Sequence, residues 1–182
     1  IRCLVVRSPI SVRHSIKKSI ILLTIISFCA FFFSLTNQVS IEASSDDNNS
    51  INYVHLKNTS NNLSTIYSTS YQNKIYNQIA KLKKYKNYTI EHPLLITNPY
   101  GTNTTSVYMY FKTSDELQAT YTIHCEGYND FSRTLNNNTL SGYTTNHEYL
   151  LVGAIPGQIN TITVTLTNKQ GNPVDTLSWS YN

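Results

Sequence analysis

A chain of 182 residues with 13% charged side chains and a formal charge of +4 is long enough for one domain with a sizeable core. The charge is not spread out: Arg2, Arg7, Arg13, Lys17 and Lys18 precede an apolar run that Glu42 follows, and the chain after residue 43 is neutral, with an acidic sheet region. A neutral body of this kind is a poor polyanion binder, which excludes nucleic acid as a partner.

Residues 20–35 form the apolar run, with the basic patch before it and Thr36, Asn37 and Gln38 after it. That order is the n-region and h-region of a secretory signal, slightly short of the ~20 residues that a membrane span needs. Two outcomes stay open over residues 1–43: a signal peptide cleaved after Ala43, or an uncleaved signal anchor formed as a hydrophobic helix. In both, the basic flank stays inside and the following chain is exported, membrane-anchored or extracellular.

Three cysteines are too few for a disulfide framework, and an exported body keeps only Cys125. Cys29 does not fit a lipoprotein, because Phe28 stands where a small residue is needed. Cys125 reads as a buried small hydrophobe. A zinc site there would need partners at ligand spacing, and the adjacent His124 points to the opposite face of its strand. The expectation is no metal and no cofactor.

Residues 44–70 are rich in Asn, Ser and Thr and offer too little apolar surface to offset chain entropy, so they read as a flexible spacer. The triplets at Asn48, Asn58 and Asn62 would accept glycans only in a eukaryotic secretory pathway. From 71 to 87 the pattern becomes helical: Ile75, Ile79, Leu82 and Tyr85 recur at helical spacing, with Lys74, Lys81 and Lys84 opposite. Such a helix either lies on anionic headgroups or packs on the side of the next domain with its lysines solvated.

From residue 88 to 182 the period is two. The stretch HPLLITNPYGTNTTSVYMYFKT, residues 92–113, organises this part. Pro93 confines 94–97 to a first or edge strand, Pro99 and Gly101 suit a turn, and Val107, Met109 and Phe111 alternate with Tyr108, Tyr110 and Lys112. Ala119, Tyr121, Ile123 and Cys125 form a second alternation. Shorter strands follow at 130–135 and 148–152, separated by Asn136, Asn137, Asn138 and Gly142. In 161–167, Ile162, Val164 and Leu166 face in and threonines face out, and Leu177, Trp179 and Tyr181 share a face of the last strand. About seven short strands with polar turns predict a mainly β protein, an antiparallel β-sandwich of immunoglobulin or fibronectin type III character.

That 22-residue stretch, the DFSRTL strand at 130–135 and the segment TTNHEYLLVGAIPGQINTITVTLTNKQGN at 144–172 together resemble the N-terminal domain of bacterial aryl-sulfate sulfotransferases. The resemblance runs from about residue 88 to the end. It implies a β-sandwich with an Asn-Pro-Tyr-Gly turn, followed by a large β-propeller. It also implies work outside the cytoplasmic membrane and transfer of a sulfuryl group from a phenolic ester to a phenol through a sulfated histidine, without a nucleotide donor.

In that family the histidine and its basic partners belong to the propeller. Even about four blades of about 40 to 45 residues each find no room after Asn182, so the chain is read as a fragment and no catalytic residue is carried over. His14, His55, His92, His124 and His147 read as surface or turn histidines, and Arg133 is the single arginine after the leader.

Three functions are compatible with these residues. The first is a non-catalytic sandwich that packs on a missing propeller or a second subunit, with tyrosines such as Tyr108, Tyr110, Tyr143 and Tyr149 left exposed for that partner. The second is a membrane-tethered or secreted Ig-like binding module. The third is a small complete enzyme, for which the chain offers no convergent polar constellation.

Overall fold

The structure, a computed structural model, describes residues 51–57, 59–136 and 141–182, all within the unit Ile41–Asn182. The basic leader, the apolar run, Cys3, Cys29, His14, Asn48 and Asn58 lie outside the described residues, as do Asn137 and Asn138 of the expected turn. No helix among the described residues is long and apolar enough to cross a membrane.

Among the described residues two helices precede six strands: α1 (Leu63–Ile66), α2 (Thr69–Leu82), β1 (Leu94–Thr97), β2 (Val107–Cys125), β3 (Phe131–Leu135), β4 (Thr144–Leu151), β5 (Asn160–Thr167) and β6 (Pro173–Tyr181). The expected alternations over 107–112 and 118–126 are one element of 19 residues. Its first half pairs antiparallel with β1 and β4. Its second half pairs with β3 and β5, and β6 closes on β5. Between Lys112 and Leu117 the register with β4 shifts. An irregularity of this kind bends a strand and lets it leave one ladder for another. Because β2 serves both ladders, six strands do the work of the seven expected.

The inner faces of the two ladders share one hydrophobic core. Val107, Met109 and Phe111 enter it from the first half of β2, and Ala119, Tyr121 and Ile123 from the second, with Ile162, Val164, Leu166 and Trp179 from β5 and β6. Tyr121 also ties the sandwich to the chain after β4, since its hydroxyl donates to the Val152 carbonyl at 2.9 Å. Pro93 stands just before β1, which runs along the outside of β2 as an edge strand, as a residue without an N–H requires. In the following turn the Gly101 N–H donates to the Asn98 carbonyl across Pro99. Gly101 has φ +73°, and a Cβ there would sit 3.1 Å from Ile66 Cγ2, so no other residue fits without strain.

The first ladder is covered on its outer face as well. Tyr108 and Tyr110 are buried there, below α2 and the segment that follows it. The helix starts two residues earlier than the periodicity predicts, because the Ser68 hydroxyl caps it by accepting from the Tyr71 N–H. It ends at Leu82 rather than 87. Tyr85, expected on the apolar stripe, is 67% exposed. Tyr88 takes its place, donating its hydroxyl to the Leu82 carbonyl at 3.1 Å and meeting the Tyr110 ring edge-on. Tyr71, Ile75, Ile79 and Leu82 are buried, each contributing about 1.5–3 kcal/mol. The apolar stripe therefore packs on the protein, and the lysines stay in water.

The reading of 44–70 as a flexible spacer is corrected over its described part. Tyr53 bridges Leu95 in parallel, and the Val54 N–H donates to the Leu95 carbonyl at 2.8 Å. The Trp179 indole N–H donates to the Tyr53 hydroxyl at 2.7 Å. α1 is capped by Asn62 and buries Ile66. Composition alone misses this segment because five side chains, Ile51, Tyr53, Val54, Leu56 and Ile66, supply its contact with the core, and most of the rest is polar.

Candidate functional site

The first ladder carries the two polar clusters of chemical interest, one on each face. On the inner face, Phe111 of β2 is opposite His147 of β4, and their rings stack at 4.5 Å with an interplanar angle of 6°. His147 is fully buried, which corrects its reading as a surface histidine; the adjacent Glu148 suggested water, but the period of two sends the pair to opposite faces. Thr113 Oγ1 lies 3.0 Å from His147 Nε2 and donates its one hydrogen to the Asp115 carbonyl. Nε2 therefore carries the ring proton, and Nδ1 accepts from the Tyr149 hydroxyl at 2.8 Å. Burial pulls the His147 pKa down to about 4, and it raises the Tyr149 phenol above its ordinary range. The imidazole is neutral at pH 7 and sealed from solvent. It fastens β4 to Thr113, where β2 begins its change of ladder.

On the outer face, Glu148 collects two donors from different elements. The Tyr108 hydroxyl donates to its Oε1 at 2.7 Å, and Lys83 Nζ at the end of α2 reaches Oε2 at 2.5 Å. The same ammonium lies 4.8 Å above the Tyr110 ring. Burial first, then the bond to the Glu148 carboxylate, drives the Tyr108 pKa far up, so this phenol stays protonated. Beside the cluster opens a groove of about 710 Å³ lined by Tyr76, Ala80, Lys83, Lys84, Lys86, Asn87, Tyr110 and Lys112. Tyr108, Tyr110 and Tyr149, expected to be exposed for a partner, are buried instead. The signal was available in the sequence, since a strand segment with apolar or aromatic residues on both faces is covered on both.

The remaining predicted residues do not converge. His124 is exposed on the second ladder and pairs with Asp130 at 2.7 Å. Arg133 is opposite Tyr121 on β3, ten residues along β2 from the position opposite His147, about 30 Å of strand. Cys125 is buried, and His92 is exposed. His55 lines a second, polar hollow of about 270 Å³ beside Asn98 and Gly101. Among the described residues no three His, Cys, Asp or Glu side chains group so as to hold a metal ion. Lys83, Glu148 and Thr113 escaped the sequence reading because each gains its partner from a distant element.

The residues that build the two ladders coincide with a known family. Residues 94–180 match the model of the arylsulfotransferase Ig-like domain, a span that opens on the first residue of β1 and stops one residue short of the end of β6. No curated protein and no solved structure matches the chain. The helical layer and the strap at Tyr53 lie before the matched span. The two-ladder body over 94–180 is thus similar to the arylsulfotransferase Ig-like domain.

Proposed function

We propose that this domain is a non-catalytic scaffold of an exported aryl-sulfate sulfotransferase, in which a sulfuryl group passes from a phenolic sulfate ester to a phenol at a centre outside residues 51–182. The match over 94–180 carries the reading. Two features of the site support the division of labour. A sulfuryl acceptor must be reached by its donor, and His147 is sealed; a general base must lose its proton near neutral pH, and Tyr108 does not. Export rests on the basic leader and the apolar run at 20–35.

The partner in this reading is a propeller or a second subunit. Its docking end is the far end of the second ladder, where the register brings Phe131 near Ile123 and Asn160 near Cys125. Tyr128, Phe131 and Ile159 are exposed there, Ile159 by 72%. The alternative is a membrane-tethered or secreted Ig-like binding module with no enzymatic activity, since a sandwich of this kind serves ligand capture as readily as packing on a partner.

Incubation of the chain with a phenyl sulfate donor and a phenol acceptor tests the reading. No transfer is expected, and turnover by this chain alone overturns it. An open reading frame encoding propeller blades past Asn182 supports the scaffold, while a stop codon followed by an unrelated gene favours the binding module.

A further inference from the structure

The neutrality of the body conceals a separation of charge. Residues 69–87 carry Lys74, Lys81, Lys83, Lys84 and Lys86 and no acidic residue, while residues 88–182 carry seven acidic side chains against three basic ones. The basic groups gather around the groove between α2 and the outer face of β2. Of its four lysines, Lys83 is neutralised by Glu148. Lys84, Lys86 and Lys112 remain, and no carboxylate lines the groove. Lys86 sits 5.1 Å over the Tyr88 ring, and Tyr76 and Tyr85 stand 64% and 67% exposed on the same layer.

We propose that this lysine and tyrosine groove docks on the anionic headgroups of a lipid bilayer. Ammonium groups attract phosphate, and tyrosine rings favour the headgroup level, where an apolar body meets a wet hydroxyl. The apolar stripe of α2 is committed to the protein core, so the contact is peripheral and electrostatic, without insertion. It rests on the reading of residues 20–35 as an uncleaved membrane segment. The 15 residues at 36–50 then reach at most about 50 Å when fully extended. A bilayer is the anionic surface the groove meets at high effective concentration, so three weak contacts suffice.

The test uses the full chain with vesicles of phosphatidylcholine, with and without phosphatidylglycerol. Acylation of individual lysines by an amine reagent is read by mass spectrometry. Lys84, Lys86 and Lys112 are expected to react about threefold or more slowly on the anionic vesicles, with the difference erased at high salt. Lys169, ion-paired with Glu116, should not change. Equal reactivity on both vesicles overturns the proposal, as does protection by soluble polyphosphate that anionic vesicles fail to give. Flotation with neutral vesicles reports the upstream segment separately. If the chain does not float with them, the anchoring reading fails, and the groove alone predicts flotation with anionic vesicles that the triple variant K84Q/K86Q/K112Q abolishes. Flotation unchanged in that variant overturns the groove.

Discussion

The two halves of β2 both turn apolar side chains inward, but the first turns Tyr108 and Tyr110 outward where the second turns Gln118, Thr120 and Thr122, and the two meet different surroundings. Val107, Tyr108, Met109, Tyr110 and Phe111 are all buried, because the core covers one face of the strand and α2 with its following segment covers the other. From Leu117 to Cys125 burial alternates, with Gln118, Thr120, Thr122 and His124 at the wetter positions. The strict period of two in the second half records a single dry face. Its loss in the first half records a third layer, which the strand itself could not supply.

The largest effect separating the halves should come from Phe111→Ala, which removes a fully buried ring and the stacking surface of His147. Urea denaturation should show a loss of about 3–5 kcal/mol. The inner cluster also predicts a pH dependence. His147 has a folded pKa of about 4 against an ordinary 6.5, so the unfolded chain binds the proton more readily. Its contribution is complete above pH 6.5 and declines as pH falls towards 4, by about 3 kcal/mol in all. Subtracting the stability profile of His147→Asn from that of the parent should isolate this slope, and a flat difference would show that the imidazole is not sealed.

On the outer face, Glu148→Ala strands the buried Tyr108 hydroxyl and releases Lys83, for an expected loss of about 2 kcal/mol. Glu148→Gln should recover most of it, because an acceptor for Tyr108 remains. Tyr53→Phe removes the acceptor of the Trp179 indole, and thermal unfolding should register about 1 kcal/mol; no change would mean that residues 51–57 do not belong to the folded body. The smallest effect is expected in the wet half. Thr122→Ala should stay within about 0.5 kcal/mol, and a larger cost would show that the hydroxyl pair with Ser132 stabilises that face more than solvent does.

The second half of β2, β5 and β6 was legible in the sequence, as was the turn at Pro99, because alternation and turn chemistry are local. The clusters on the first ladder were less so. Glu148 reads as an ordinary strand-start carboxylate until Lys83, 65 residues away, is placed on it, and His147 reads as solvent-facing until Phe111 and Tyr149 enclose it. Tyr53 and Trp179, 126 residues apart, could not be joined by any periodicity.

By itself the sequence determined that this is an antiparallel β protein with an amphipathic helix before it, since side-chain period and the backbone limits of Pro and Gly act over a few residues. What covers the outer face of the first ladder, which histidine is sealed and where the lysines gather were decided by the tertiary structure, because burial and charge pairing depend on elements that meet only after the chain has folded.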